Sequence, residues 1–419
     1  MIIKKYQNYK KSGIEWLGEV PEEWKKVKFK YLAKIRNGKD QKEVQIDDGG
    51  YPVLGTGGEF GRASLYLYNK PSVLLGRKGT IDKPQYIEVP FWTVDTLFYT
   101  EIFDDVDPKY FFYLCCQIPF HLLQESSAVP SMTQENLNNV FFCKPPLKEQ
   151  TQIARYLDYQ TSIIDQLIKK KEKLIELLKE KRQAIINEAV TKGLNPKAKM
   201  KDSGIEWLGE VPEEWSYSKL KWISDIYAGG TPNTNVNHYW ENGTIPWLNS
   251  GTVNQKRINQ VSEYITEEAV KNSSTKWVPK GALLMALAGQ GKTKGTVAIL
   301  EIDATCNQSM AAIVPDSIIN NEYLFYWLYV NYERIRGLAG SEQRDGLNLQ
   351  IIGDIFCPLP KLNEQLEIVK YLNGVDLKID SSIHFILIQI EKLKEYRQSI
   401  ISEAVTGKID VRDWQPNNK

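Results

Sequence analysis

The residues best suited to chemistry lie in basic, glycine-rich segments. Ala286-Leu-Ala-Gly-Gln-Gly291-Lys292-Thr293 nearly fits a phosphate-binding loop, where glycine amides cradle phosphate oxygens and a lysine neutralises them. Its first position is Ala where the pattern needs Gly. The following Lys-Gly-Thr-Val-Ala-Ile-Leu reads as turn and strand where the motif needs a helix, so nucleotide binding is not expected. Gly289-Gln290-Gly291-Lys292-Thr293-Lys294-Gly295 and Gly76-Arg77-Lys78-Gly79-Thr80 suit a different chemistry, because glycine permits close approach while amides and cations can meet phosphates or base edges. The cysteines at 115, 116, 143, 306 and 357 form no Cys-x-x-Cys pair, and the histidines at 121, 238 and 384 are isolated, so no metal is expected. The Asn-Pro-Pro-Tyr/Phe motif of DNA methyltransferases is missing, since Pro145-Pro146 follows Lys144 and Asn195-Pro196 precedes Lys197. No catalytic residue is predicted.

These loops need a scaffold, and 419 residues suggest two or three packing units. With 42% hydrophobic and 25% charged residues, the composition is that of a globular chain. A net charge of +1 gives no global basic signature, so any nucleic-acid role must rest on local patches. The first residues turn polar after Met1-Ile2-Ile3, and the apolar runs, such as Ala282 to Ala288, are far shorter than a membrane span. The expectation is a soluble, cytosolic protein.

The scaffold is a tandem repeat. Ser12-Gly-Ile-Glu-Trp-Leu-Gly-Glu-Val-Pro-Glu-Glu-Trp24 recurs unchanged as Ser203 to Trp215, an offset of 191. At that offset Lys28/Lys219, Lys30/Lys221, Tyr31/Trp222, Ile35/Ile226 and Gly38/Gly229 also correspond. The ends of the halves match at a second offset, 215, through Glu149-Gln150 and Glu364-Gln365, Tyr156-Leu157 and Tyr371-Leu372, and Arg182 to Thr191 against Arg397 to Thr406. Between them, Gly38–Lys144 and Gly229–Pro358 share no comparable identity. Constant ends make the same contacts twice, and divergent middles are free to recognise two different things.

The constant ends read as long helices. Glu149 to Val190 lacks Pro and Gly, and Leu157, Ile164, Ile168, Ile175, Leu178 and Ile185 recur at helical steps. Ile379, Ile383, Ile386, Ile390, Leu393 and Ile400 form a four-three seam of the coiled-coil kind, with a gap at Arg397. Each helix of about 40 residues would be about 60 Å long. Prolines before each helix and Gly193 or Gly407 after it supply start and stop signals. An antiparallel pair within the chain would bury both seams; dimerisation between chains is the alternative. Lys169 to Lys173 reads as a solvated face, with a DNA phosphate contact as the alternative and Lys171 available to tune register. The middles carry strand-like runs (Ser72–Leu75, Gln85–Val89, Ala282–Leu287, Thr296–Leu300) and helical ones (Pro108–Leu123, Asn321–Arg336), hence an α+β class.

The doubled opening motif, Thr93-Val-Asp95-Thr96, Cys306-Asn307-Gln308-Ser309 and the helix openings Pro146-Leu-Lys-Glu149-Gln150 and Pro360-Lys-Leu-Asn-Glu364-Gln365 resemble the specificity subunits of type I restriction-modification systems, called HsdS, over nearly the whole chain. The resemblance implies two globular target-recognition domains in a pseudo-twofold tandem repeat, joined and spaced by a pair of long antiparallel helices. Their expected limits are 1–147 for the first domain, 148–195 for its helix, 196–360 for the second domain and 361–419 for the second helix and tail. It also implies a double-stranded DNA target in two parts, two methyltransferase (HsdM) subunits using S-adenosylmethionine, and restriction/motor (HsdR) subunits using ATP and Mg, with no cofactor in this chain. Ser131-Met132-Thr133-Gln134 and Arg344-Asp345-Gly346-Leu347-Asn348 are then loop positions near DNA. The candidate contacts are Arg77, Lys78, Thr80, Ser131, Thr133, Gln134, Gln290, Lys292, Thr293, Lys294, Arg344 and Asn348, for each of which an ordinary surface role stays open. The alternative function is a two-domain coiled-coil adaptor that binds proteins only. Trp16/Trp24 and Trp207/Trp215 either face a partner or pack against their own helix.

Overall fold

The computed structural model describes residues 4–123, 130–205, 207–289, 292–338 and 346–416. Packing divides the chain into unit 1, Met1–Glu172 with Leu387–Lys419, and unit 2, Lys173–Ile386. The limits read from the sequence follow the duplication. Packing follows another cut, because each unit takes a stretch of both long helices, Leu147–Lys192 and Leu362–Val405.

Unit 1 opens with a ribbon of Tyr9–Lys11 against Glu19–Pro21, closed by Gly13 and Gly18 at φ of 66° and 69°. The second copy of the motif does the same in unit 2 with Gly204 and Gly209 at 66° and 65°, so these glycines repeat because the backbone turn demands them. The central sheet of unit 1 runs Ala33–Asn37, Leu97–Ile102, Ser72–Gly76, Gln85–Ile87. Ser72–Gly76 is buried throughout, as expected of an inner strand covered on both faces. A second sheet runs Trp92–Thr93, Tyr51–Gly55, Gly58–Ala63, Gln45–Ile46.

Unit 2 repeats this plan without repeating the sequence. Its central sheet runs Ser224–Ala228, Met310–Pro315, Leu283–Ala286, Val297–Leu300, Arg257–Ile258, and its second sheet Glu263–Ile265, Ile245–Leu248, Ala304–Cys306, Trp277–Val278. The predicted helical runs are each broken: Pro108–Cys115 and Phe120–Leu123 flank a turn, and Asn321–Val330 gives way to Tyr332–Gly337 at Asn331.

A glutamate and a glutamine at the head of each long helix fasten these layers. Glu149 is buried and accepts from Tyr6 Oη at 2.6 Å and Trp24 Nε1 at 2.9 Å. Burial and the neighbouring carboxylate push the Tyr6 hydroxyl far above its usual range, so it stays a donor. Gln150, fully buried, accepts from the amide of Asp107 at 3.0 Å and donates to the Pro145 carbonyl at 2.9 Å. Asp107 in turn caps Pro108–Cys115 by accepting from the Lys109 and Tyr110 amides. Unit 2 repeats the fastening: Trp215 Nε1 donates to Glu364 at 3.0 Å, and Gln365 accepts from the amide of Asn320 at 2.7 Å and donates to the Pro360 carbonyl at 2.9 Å. Trp24 and Trp215 therefore pack against their own helices. Trp16 sits edge-on to Phe142, and Trp207 stacks on Trp327 at 5.7 Å.

Within each unit the helix stretches run antiparallel. In unit 1, Asp165 pairs with Arg397 at 3.0 Å, Lys171 donates to Gln389, and Gln152 donates to the carbonyls of Val411 and Trp414. The polar gaps in the seam are thus matched across it, which fixes register. In unit 2, Arg182, the repeat counterpart of Arg397, pairs with Asp376 and Asp380. Of the seam residues, Leu157, Ile164, Ile379, Ile386, Ile390 and Ile400 are buried, and Ile168, Ile175, Leu178, Ile185, Ile383 and Leu393 are half-buried. Among the described residues no helix is long and apolar enough to cross a membrane.

Glu149→Ala strands two buried donors and Glu364→Ala one. We expect losses of about 2–4 and about 1–2 kcal/mol in units 1 and 2, read as unequal falls in the urea midpoint of each unit.

Candidate nucleic-acid interface

In unit 1 four loops converge where the central strands end. Gly38, just past Ala33–Asn37, donates its amide to Leu97 O at 3.0 Å, and Lys39 donates to Thr93 O at 2.8 Å. A Cβ on Gly38 would lie 2.0 Å from the Val94 carbonyl oxygen, so only glycine lets the two loops close. Arg77 donates its amide to Thr96 O at 2.8 Å, and its carbonyl accepts from Met132 at 2.9 Å. Gly79, at φ of 82°, donates to Pro130 O, while Lys78 forms a bridge with Ser131.

This backbone lacing gathers Arg77, Lys78, Thr80, Ser131, Thr133 and Gln134 into one cluster. Lys78 and Thr80 are exposed, and Arg77 is half-buried with Nη1 donating to Asp95 O at 3.3 Å. Thr133 has a structural role, capping Gln134–Asn138 by accepting from the Asn136 amide at 3.1 Å. Gln134 Nε2 donates to Asn37 Oδ1 at 2.9 Å. Exposed Asn37, Lys39 and Asp95 join the cluster although sequence reasoning does not select them as contacts. A signal for them exists: Asn37 and Lys39 flank the repeated Gly38, and Asp95 lies in Thr93-Val-Asp-Thr96.

Unit 2 builds the same cluster from different residues. Gly230 donates to Cys306 O at 2.8 Å, Leu287 to Ser309 O at 2.8 Å, and Leu347 to Leu287 O at 2.9 Å. A Cβ on Gly229 would lie 2.1 Å from Cys306 O, the counterpart of Gly38. Thr231 Oγ1 bonds Gln308 Oε1 beside them. Asn348 repeats the role of Thr133, capping Leu349–Gly353 through the Ile351 amide at 2.9 Å.

The loop after Leu283–Ala286 returns as the antiparallel strand Val297–Leu300. Lys292 and Thr293 therefore lie on a hairpin connection and not at a helix N-terminus, which removes the geometry of a nucleotide-phosphate cradle. Lys292 is exposed and its carbonyl is held by Tyr332 Oη at 2.7 Å, whereas Thr293 is half-buried. Lys294 is only 8% exposed, so its stem belongs to the packing of the loop. Gln290 and Arg344 lie outside the described residues.

Among the described residues no group of His, Cys, Asp and Glu could hold a metal ion. Cys115, Cys143, Cys306 and Cys357 are buried, and burial pushes the Cys306 thiol up to about 12, which keeps it protonated and unreactive at neutral pH.

Gly38→Ala and Gly229→Ala should each force one cluster open, raising amide hydrogen exchange at Lys39 or Gly230 by about tenfold or more, as about 1–3 kcal/mol of overpacking requires. The other unit's amides should be unchanged.

Known proteins share this construction. The family described as type I restriction modification DNA specificity domain matches twice, over residues 21–177 and 212–392. The type I restriction enzyme MjaVIII specificity subunit of Methanocaldococcus jannaschii is 27% identical over 431 residues, 94% of this chain and 95% of that protein. The EcoR124I/EcoR124II specificity subunit of Escherichia coli is 30% identical over 204 residues; that match covers 47% of this chain and 47%, about half, of the relative. A chain in a solved structure of a type I R-M system shares the fold with a TM-score of 0.71 at 14% identity, covering 92% of this chain and 98% of that one. The HsdS subunit from Thermoanaerobacter tengcongensis gives 0.53 at 15% identity, covering 93% and 98%. With both domain matches in place, the chain belongs to the type I restriction-modification DNA specificity family.

Proposed function

We propose that the chain reads a double-stranded DNA sequence in two separate parts, one by each loop cluster, and brings two methyltransferase (HsdM) subunits and the restriction/motor (HsdR) subunits to it. The observation that carries this reading is the pairing of identically laced backbones with unrelated loop side chains. By the lacing itself Leu287 stands where Arg77 does, Leu349 where Gln134 does and Gln308 where Asp95 does. Two frames of one design carrying different side chains suit two different sets of base edges. The reacting groups and cofactors then belong to the partners, S-adenosylmethionine to the methyltransferase and ATP with Mg to the motor. All of this takes place in the cytoplasm, where the DNA is.

The direct test is genome-wide adenine methylation in cells expressing this chain with its methyltransferase subunit, against cells with the methyltransferase alone. A split motif that appears only with both proteins is expected. Exchanging residues 25–144 for those of a relative should alter one half of that motif and leave the other intact. Alteration of both halves would reject independent readers, and soluble, associated proteins that yield no motif would favour the protein-only adaptor.

A further inference from the structure

The two reading clusters adjoin ribbons that the duplication preserves in outline but not in charge. In unit 1, Lys25–Lys28 pairs with Phe141–Lys144 and is followed by Phe29–Tyr31. Among the described residues, Lys25, Lys26, Lys28 and Lys30 have no carboxylate within 4.0 Å. The partners that Lys26, Lys28 and Lys30 do have are neutral. Lys26 donates to Gly13 O at 2.7 Å and Lys28 to Asn139 Oδ1 at 2.9 Å. Lys26 and Lys28 lie over the Phe141 ring at 4.7 and 5.1 Å, and Lys30 over Tyr31 at 5.1 Å. Such contacts order the lysine stems without cancelling their charge. Each ammonium has three donors, so one bond to a neutral acceptor leaves others for an anion.

In unit 2 the ribbon Ser216–Lys219 with Phe356–Leu359 has Ser216 and Tyr217 where unit 1 has Lys25 and Lys26. Asp354 stands in the place of Asn139 and accepts from both Lys219 and Lys221 at 2.9 Å. Those two hydrogen bonds hold its carboxyl down to about 2, so it is ionised throughout the neutral range. The exposed aromatic is kept, Trp222 at 64% for Tyr31 at 61%.

The ribbon also lies close to the reading loops. The helix Gln134–Asn138 starts in the unit 1 cluster and is about 8 Å long; Asn139, just past its end, holds Lys28. A duplex carries a phosphate for every ~1.7 Å of its axis, so one seated on the loops and running on past this ribbon would offer it phosphates whatever its sequence. Such contacts are blind to sequence, so they can differ in number between the two halves without changing what either half reads.

We propose, resting on the DNA-reading function above, that Lys25, Lys26, Lys28 and Lys30 grip the phosphate backbone of duplex DNA beside the bases read by unit 1, and that Asp354 withholds Lys219 and Lys221 from the same contact in unit 2. Unit 1 then supplies most of the salt-sensitive affinity, and unit 2 depends more on its loops.

The test measures binding of the full chain, assembled with its methyltransferase subunit, to a duplex bearing the methylated motif and to a scrambled duplex across a salt series. Replacing the four lysines together by Gln should reduce the slope of log K against log salt by about 3.6, at about 0.9 per phosphate contact. The loss should be equal on both duplexes, so that their affinity ratio is unchanged. Asp354→Asn should steepen the slope by about 1–2, a gain that misfolding does not produce. Unchanged slopes in both variants, while the wild type still discriminates the duplexes, would overturn the proposal and leave the reading function standing. So would loss of co-purification with the methyltransferase in place of a slope change, which would make the ribbon a protein-binding surface. A wild type that does not discriminate the duplexes would reject the reading function and this proposal with it.

Discussion

Each unit hangs on a Glu-Gln pair at the head of a long helix. The glutamate, buried in unit 1 and half-buried in unit 2, is the acceptor for a tryptophan that belongs to the opening motif, and the glutamine ties the cap of a helix packed on the central sheet to the proline that precedes its own helix. A buried carboxylate is tolerable only where donors surround it, and a buried tryptophan N–H only where an acceptor waits. Residues separated by more than a hundred positions therefore have to arrive together. Tyr113 and Tyr326 extend the joint along the helices, through Asp158 and Asn373, which correspond at the same offset of 215 as the helix residues.

That rigid joint explains how the middles can diverge while their central sheets keep the same strand order, with one edge strand added in unit 2. Sheet position is set at the constant ends, and the loops beyond are laced mainly by backbone amides and carbonyls, which any sequence supplies. Gly38 and Gly229 stay because a Cβ would strike a carbonyl. Thr133 and Asn348 can differ because either side chain caps a short helix. Side chains facing outward from the clusters carry no such duty, and that freedom is what a reading surface needs.

Much of this is legible in the residues. The repeat, the two long helices and the α+β middles follow from identities and periodicities that survive without tertiary context, and the strand after the near-miss phosphate loop is where the residues place it. The carboxylate latch is not legible, because Glu149 and Trp24 meet through folding across 125 positions and nothing local marks the bond. Nor is the fate of Lys294: a lysine between glycines reads as exposed, and only the packing around it buries the stem. The break at Asn331 escapes as well, since Tyr, Phe and Leu before it and Tyr332 and Ile335 after it continue the helical pattern through a residue that caps the first segment.

Sequence repeat and packing unit are out of step, and this bears on how the protein emerges from the ribosome. Unit 2 is one continuous stretch, Lys173–Ile386. Unit 1 lacks a wall of its core until Ile400, Ile401, Ala404, Val405 and Trp414 are made, and Gly407, which seats against Pro21 and Trp24, is made with them. Domains ordinarily fold in the order of synthesis. Here the second domain is complete first, and the first-made domain waits, with its tryptophan-lined face open, for the second long helix to be finished.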